Sequence, residues 1–163
     1  MDNKKVLIAF DGSDNAMRAV RYVLEMLPGL SGCTVILGHI ERLPDRDMFA
    51  TESAWTTQCG AIKAMTRLGL DKARAMLREA GFEDGALAEV FVDSCRSPFQ
   101  SGQDSCSLGE NIAQELMDIA QREGCGTIVV GRRGLSKAEE VVFGSVSNRL
   151  MRAAHDCALW VVV

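Results

Sequence analysis

Short, nearly continuous apolar runs recur along this chain and alternate with segments whose apolar residues return at helical spacing. Such runs belong to strands covered on both faces, the condition of a parallel sheet. Residues 5–10 (KVLIAF) form the first and stop at Asp11-Gly12-Ser13. Ser13 can cap the helix that follows, and Asp14 suits its first turn. Ala16, Ala19, Val20, Val23, Leu24 and Leu27 give that helix an apolar side before Pro28-Gly29 ends it.

The strand signal returns at 34–40 (TVILGHI), 89–92, 127–130 and 159–163. A long periodic segment carries Ile62, Met65, Ala73, Met76, Leu77 and Ala80 and stops at Gly81. A helix over 109–122 presents Ile112, Leu116, Ile119 and Ala120 and closes at Gly124, and a further helix runs from Ser145 to about His155. Strictly alternating strands and helices predict an α/β fold: a single doubly wound domain over 1–163 whose five-stranded parallel sheet carries helices on both faces. Residues 93–108 exceed an ordinary connection and are rich in serine. They read as a surface-loop insertion that carries Cys95 and Cys106.

Charge narrows the partners. The formal net charge of -4 lacks the basic excess that binding a phosphate backbone requires, so nucleic acid is not expected. No apolar stretch approaches the roughly 20 residues that cross a bilayer, and no signal-peptide pattern precedes the first strand, so no membrane partner is expected and the cytoplasm is the expected compartment. The six cysteines are scattered without a C-x-x-C pair, which argues against a zinc knuckle or redox motif. Most of them read as small buried hydrophobes of a reducing compartment, with Cys95 and Cys106 of the surface loop the two expected to be exposed. The methionines, including Met65, Met76, Met117 and Met151, read as core filler.

In open sheets of this kind ligands bind beyond the carboxyl ends of the strands, where strand order reverses. Two loops qualify. The first presents Asp11-Gly12-Ser13; the second, over 131–147, reads Gly131-Arg132-Arg133-Gly134, nine residues, then Gly144-Ser145-Val146-Ser147. Glycines let backbone N–H groups approach an anion, and a helix opening at Gly144-Ser145 directs unpaired N–H groups and its positive dipole end at it. Ser145 and Ser147 add hydroxyls, and Arg132, Arg133 and Lys137 add positive charge. Neither a P-loop nor a G-x-G-x-x-G after the first strand is present, which disfavours standard P-loop hydrolysis and dinucleotide redox chemistry.

The spacing G-x-x-G, nine residues, G-[ST], met by Gly131, Gly134, Gly144 and Ser145, together with Ala9-Phe10-Asp11-Gly12-Ser13, resembles the universal stress protein family over essentially the whole chain. The resemblance implies strand order 3-2-1-4-5, binding of ATP or AMP, and a homodimer joined through the last strand. It puts Asp11 near the ribose and any phosphate-bound magnesium ion, Ala9 and Phe10 beside the base, and Ile40 at the adenine edge through its backbone. Gly131 would meet the ribose, and Gly134, Gly144, Ser145, Val146 and Ser147 would hold phosphates. Two departures stand out: Ala9 where the family often has proline, and Arg132-Arg133 where small or polar residues are commoner.

Plainer roles stand beside these. Asp11 could serve its turn alone, and Arg132 and Arg133 could be solvated surface charges. His39 reads as a partly buried strand residue and His155 as a cation at a helix end. Three functions remain open from sequence: a nucleotide-binding stress-response or regulatory protein with slow or no hydrolysis; an ATP-dependent hydrolase or nucleotidyl transferase in which Asp11 positions a metal and the arginines stabilise charge; and a module whose loop is structural or holds another anion. No residue pattern singles out a downstream protein partner.

Overall fold

The computed structural model describes residues 1–27, 32–92, 110–132 and 144–163, with nothing stated of the side chains of residues 110 and 111. Five strands, β1 (Asp2–Ala9), β2 (Thr34–Ile40), β3 (Leu87–Val92), β4 (Cys125–Gly131) and β5 (Ala158–Val162), alternate with four helices, α1 (Asp14–Met26), α2 (Glu52–Glu79), α3 (Glu110–Glu123) and α4 (Ser145–Ala153). All strand pairs are parallel, in the order β3-β2-β1-β4-β5.

Period-two geometry explains why β1 is apolar without a break from Val6 to Ala9. Val6, Ile8 and Phe10 enter one cluster with Val20 and Val23 of α1 and Leu70 and Leu77 of α2. Leu7 and Ala9 join the opposite cluster with Leu116 and Ile119 of α3 and Leu150 of α4. Each fully buried Leu or Ile contributes about 1.5–3 kcal/mol from leaving water. Ser13 caps α1, its Oγ accepting from the Ala16 amide at 3.1 Å. Gly124, with φ of +71°, lets the chain turn from α3 into β4, a backbone shape that side chains disfavour.

The sequence reading needs correction on α2 and α4. The buried residues of α2 are Cys59, Thr66, Leu70, Ala73 and Leu77, so Met65 is 73% exposed. One residue of helix is about 100° of rotation, which carries Met65 off the stripe that Thr66 occupies. Ala80, the helix's C-cap, is exposed as well, and Met151 on α4 faces outward. Helix α4 ends at Ala153, short of His155, and Asp156 follows with φ of +58°. Met76 and Met117 do pack against the core.

Cys33, Cys59 and Cys125 are buried and Cys157 partly so, all as free thiols. Burial, aided by the nearby Glu123 charge, pushes the Cys125 thiol up to about 11. Burial also raises Cys59 and Cys157. Pro28-Gly29, the 93–108 segment with Cys95 and Cys106, and Arg133, Gly134 and Lys137 lie outside the described residues.

Candidate functional site at the carboxyl ends of the strands

Beyond the ends of β1, β2 and β4 a crevice opens, with about 1030 Å³ of empty space counting its open mouth. It lies where chain direction through the sheet reverses, between β1 and β4.

The β1 wall is a tight turn. The Ser13 amide donates to Asp11 Oδ1 at 3.0 Å, and Gly12 sits at φ of +81°, in the left-handed region glycine tolerates. Asp11 thus serves its turn and lines the crevice at once. Ala9 lines it too. The Phe10 ring is buried against α2, where a Cβ on Gly69 would come within 3.2 Å of it. What Phe10 offers a ligand is therefore wall, and its carbonyl already accepts from His39 Nδ1 at 2.7 Å. Because a carbonyl only accepts, that bond fixes the proton on Nδ1.

The β4–α4 wall is built from backbone. Gly131 ends β4, and a Cβ there would stand 2.7 Å from the backbone of Asn15 in α1, so helix packing by itself requires glycine. The Arg132 amide donates to the Val162 carbonyl at 2.7 Å, and the Gly144 amide to the Arg132 carbonyl at 2.8 Å. The chain thus leaves at Arg132 and returns at Gly144 through one hydrogen bond. Gly144 is the N-cap of α4 and supplies no side-chain cap, so the first-turn amides of Ser145, Val146 and Ser147, which line the crevice, have none. The Ser147 hydroxyl lies 3.1 Å from the Arg132 carbonyl and 3.0 Å from that of Gly144, so its proton holds the loop ends together. Ser145 is exposed, and Arg132 is partly buried along the same wall. Of the sequence candidates, Arg133 and Gly134 fall outside the described residues.

On the β2 side Ile40 lines the crevice. Beside it stand residues the sequence reading left out of the site, among them His39, expected as only a partly buried strand residue. His39 is buried, its ring 4.8 Å from that of Phe91. Glu41 is only 5% exposed, and Lys63 and Thr66 of α2 complete the wall. Position at the carboxyl end of β2 is the signal that could have found His39 and Glu41. Lys63 and Thr66 carry no local signal, since only the packing of α2 brings them here.

Comparison with known proteins agrees with this architecture. The model of the universal stress protein family matches residues 102–162, the part holding the glycine loop. The chain is 25% identical to universal stress protein YxiE of Bacillus subtilis strain 168, over 97% of both proteins. Among solved structures, the hypothetical protein MJ0577 shares the fold with a TM-score of 0.71 at 21% identity, covering 99% of this chain and 96% of that one. A universal stress protein from Archaeoglobus fulgidus, solved in complex with dAMP, has a TM-score of 0.55 at 19% identity, covering 98% and 97%. Sheet order, glycine loop and whole-length likeness all agree, and the chain is similar to the universal stress protein family.

Proposed function

We propose that this chain binds an adenine nucleotide, ATP or AMP, across the crevice and acts as a stress-response or regulatory protein with slow or no hydrolysis. The observation that carries this reading is the opening of α4: a helix N-terminus without a side-chain cap, lining one crevice with Asp11. Its amides and dipole favour an anion. The dAMP bound by the Archaeoglobus relative, on the same fold, supports an adenine nucleotide as that anion. Phosphates belong at Gly144, Ser145, Val146 and Ser147, with Arg132, Arg133 and Gly134 on the same loop. The ribose belongs near Asp11 and Gly131, and the base near Ala9, Phe10 and Ile40.

A magnesium ion that accompanies the phosphates fits Asp11, because Mg²⁺ takes one or two carboxylates together with phosphate oxygens. Asp11 also accepts from Ser13, and His39 gives its Nδ1 proton to Phe10. Groups so committed to structure suit a site that holds a nucleotide better than one that activates water. The free buried thiols suit a reducing compartment, which supports the cytoplasm.

We read the chain as a homodimer joined through β5. The two sheet edges differ: at β3, Arg67 and Arg74 reach Glu89 at 3.3 Å each and make a charged edge, whereas β5 offers Leu159, Trp160, Val161 and Val162, all partly exposed. An apolar edge needs cover. Sedimentation at micromolar concentration should give twice the 17.7 kDa chain mass, and a monomer would overturn the dimer.

The nucleotide reading is tested by denaturing the purified protein and identifying what it releases. An adenine nucleotide is expected. Release of none, with no calorimetric binding of AMP or ATP at millimolar ligand, contradicts it.

A further inference from the structure

Glu41 is a buried carboxylate on the wall of the crevice. Its backbone amide donates to Val92, which fixes the residue at the end of β2, and its side chain is 5% exposed. Oε1 lies 3.2 Å from Lys63 Nζ, an ion-pair distance, yet that ammonium is not directed to donate a hydrogen bond. Among the described residues Oε1 has no hydrogen-bond partner. Lys63 itself is 53% exposed, so the pair is lopsided: one charge is solvated and the other is not. A buried carboxylate oxygen left without a donor is costly. The cost falls when a donor enters the crevice that Glu41 lines.

We propose that Glu41 is a specificity residue that accepts a hydrogen bond from the exocyclic amino group of the bound base. This rests on the nucleotide reading above. Strand order supplies the position: from the α4 N-terminus beyond β4, the crevice passes β1 and then β2. Phosphate, sugar and base follow one another in the same order, so a phosphate at α4 puts the sugar over β1 and the base at β2. A carboxylate accepts and does not donate. Adenine's ring nitrogens are acceptors and its 6-amino group is the donor on its edge, so that group is what Glu41 can pair with.

The test compares AMP with purine riboside 5′-monophosphate, in which hydrogen replaces the 6-amino group, by calorimetry. The wild type should prefer AMP roughly ten- to a hundredfold, the range for a hydrogen bond to a charged group. In Glu41→Met, close in size and without an acceptor, the preference should fall to near unity. Glu41→Gln keeps an acceptor oxygen and should give an intermediate ratio. Should Glu41→Met fail to melt cooperatively, the wild-type and Glu41→Gln ratios decide. A wild type that binds both ligands equally, or a Glu41→Met that keeps the wild-type preference, overturns the role of Glu41 and leaves the nucleotide reading intact. A wild type that binds neither removes both.

Discussion

The two ends of the crevice are made of different material. At the β4–α4 end the wall is main chain: Gly131 against Asn15, Gly144 bonded to Arg132, and the first amides of α4. At the β2–α2 end it is side chain: the buried His39 and Glu41, with Lys63 and Thr66 facing them. A backbone wall can recognise an anion whatever is attached to it, because every residue carries the same amide. A side-chain wall discriminates, because a buried acceptor rejects whatever fails to satisfy it. On the proposed nucleotide reading, affinity belongs to one end and selectivity to the other.

The largest expected effect separates the two glycines of the backbone end. At Gly131 even Ala should cost about 1–3 kcal/mol, because its Cβ would meet helix backbone that cannot move independently. Thermal unfolding checks this, and an unchanged Tm would show that the β4–α1 contact is looser than described. Gly144 differs, since its φ of -64° and ψ of 158° suit any residue. Substitution there should act on a ligand and leave the fold in place. A smaller but sharper effect is expected at the other end, where Glu41→Met alters base preference.

The same contrast explains what could be read from sequence. Both apolar faces follow from runs such as residues 5–10 and 34–40, because each strand's burial is written locally, whereas the order of the strands comes from the family resemblance. The glycine loop is likewise a local pattern, so Gly131, Gly144, Ser145, Val146 and Ser147 were legible as one group, and they share the crevice. The Glu41–Lys63 pair joins residues 22 positions apart, on a strand end and a long helix, and its register depends on which side of α2 faces inward. The periodicity of α2 tolerates a one-residue shift, since Met65 and Thr66 stand side by side and both can pack. Helical spacing alone therefore misplaced Met65 and gave no sign of Lys63. Nor does spacing reveal that Ser147 spends its proton on the loop ends rather than on a ligand.

The division of the crevice is tested most directly by titrating wild type and Gly144→Val with AMP and with adenosine, which lacks the phosphate. A branched side chain at the α4 N-cap should obstruct the amides and weaken AMP by about tenfold or more, the worth of charge-assisted hydrogen bonds. Adenosine affinity should stay unchanged, and unfolding without ligand should shift by no more than about 1 kcal/mol, the usual scale of an N-cap change. AMP bound by Gly144→Val as tightly as by the wild type would contradict a phosphate site at the opening of α4, and with it the order of phosphate, sugar and base along the crevice.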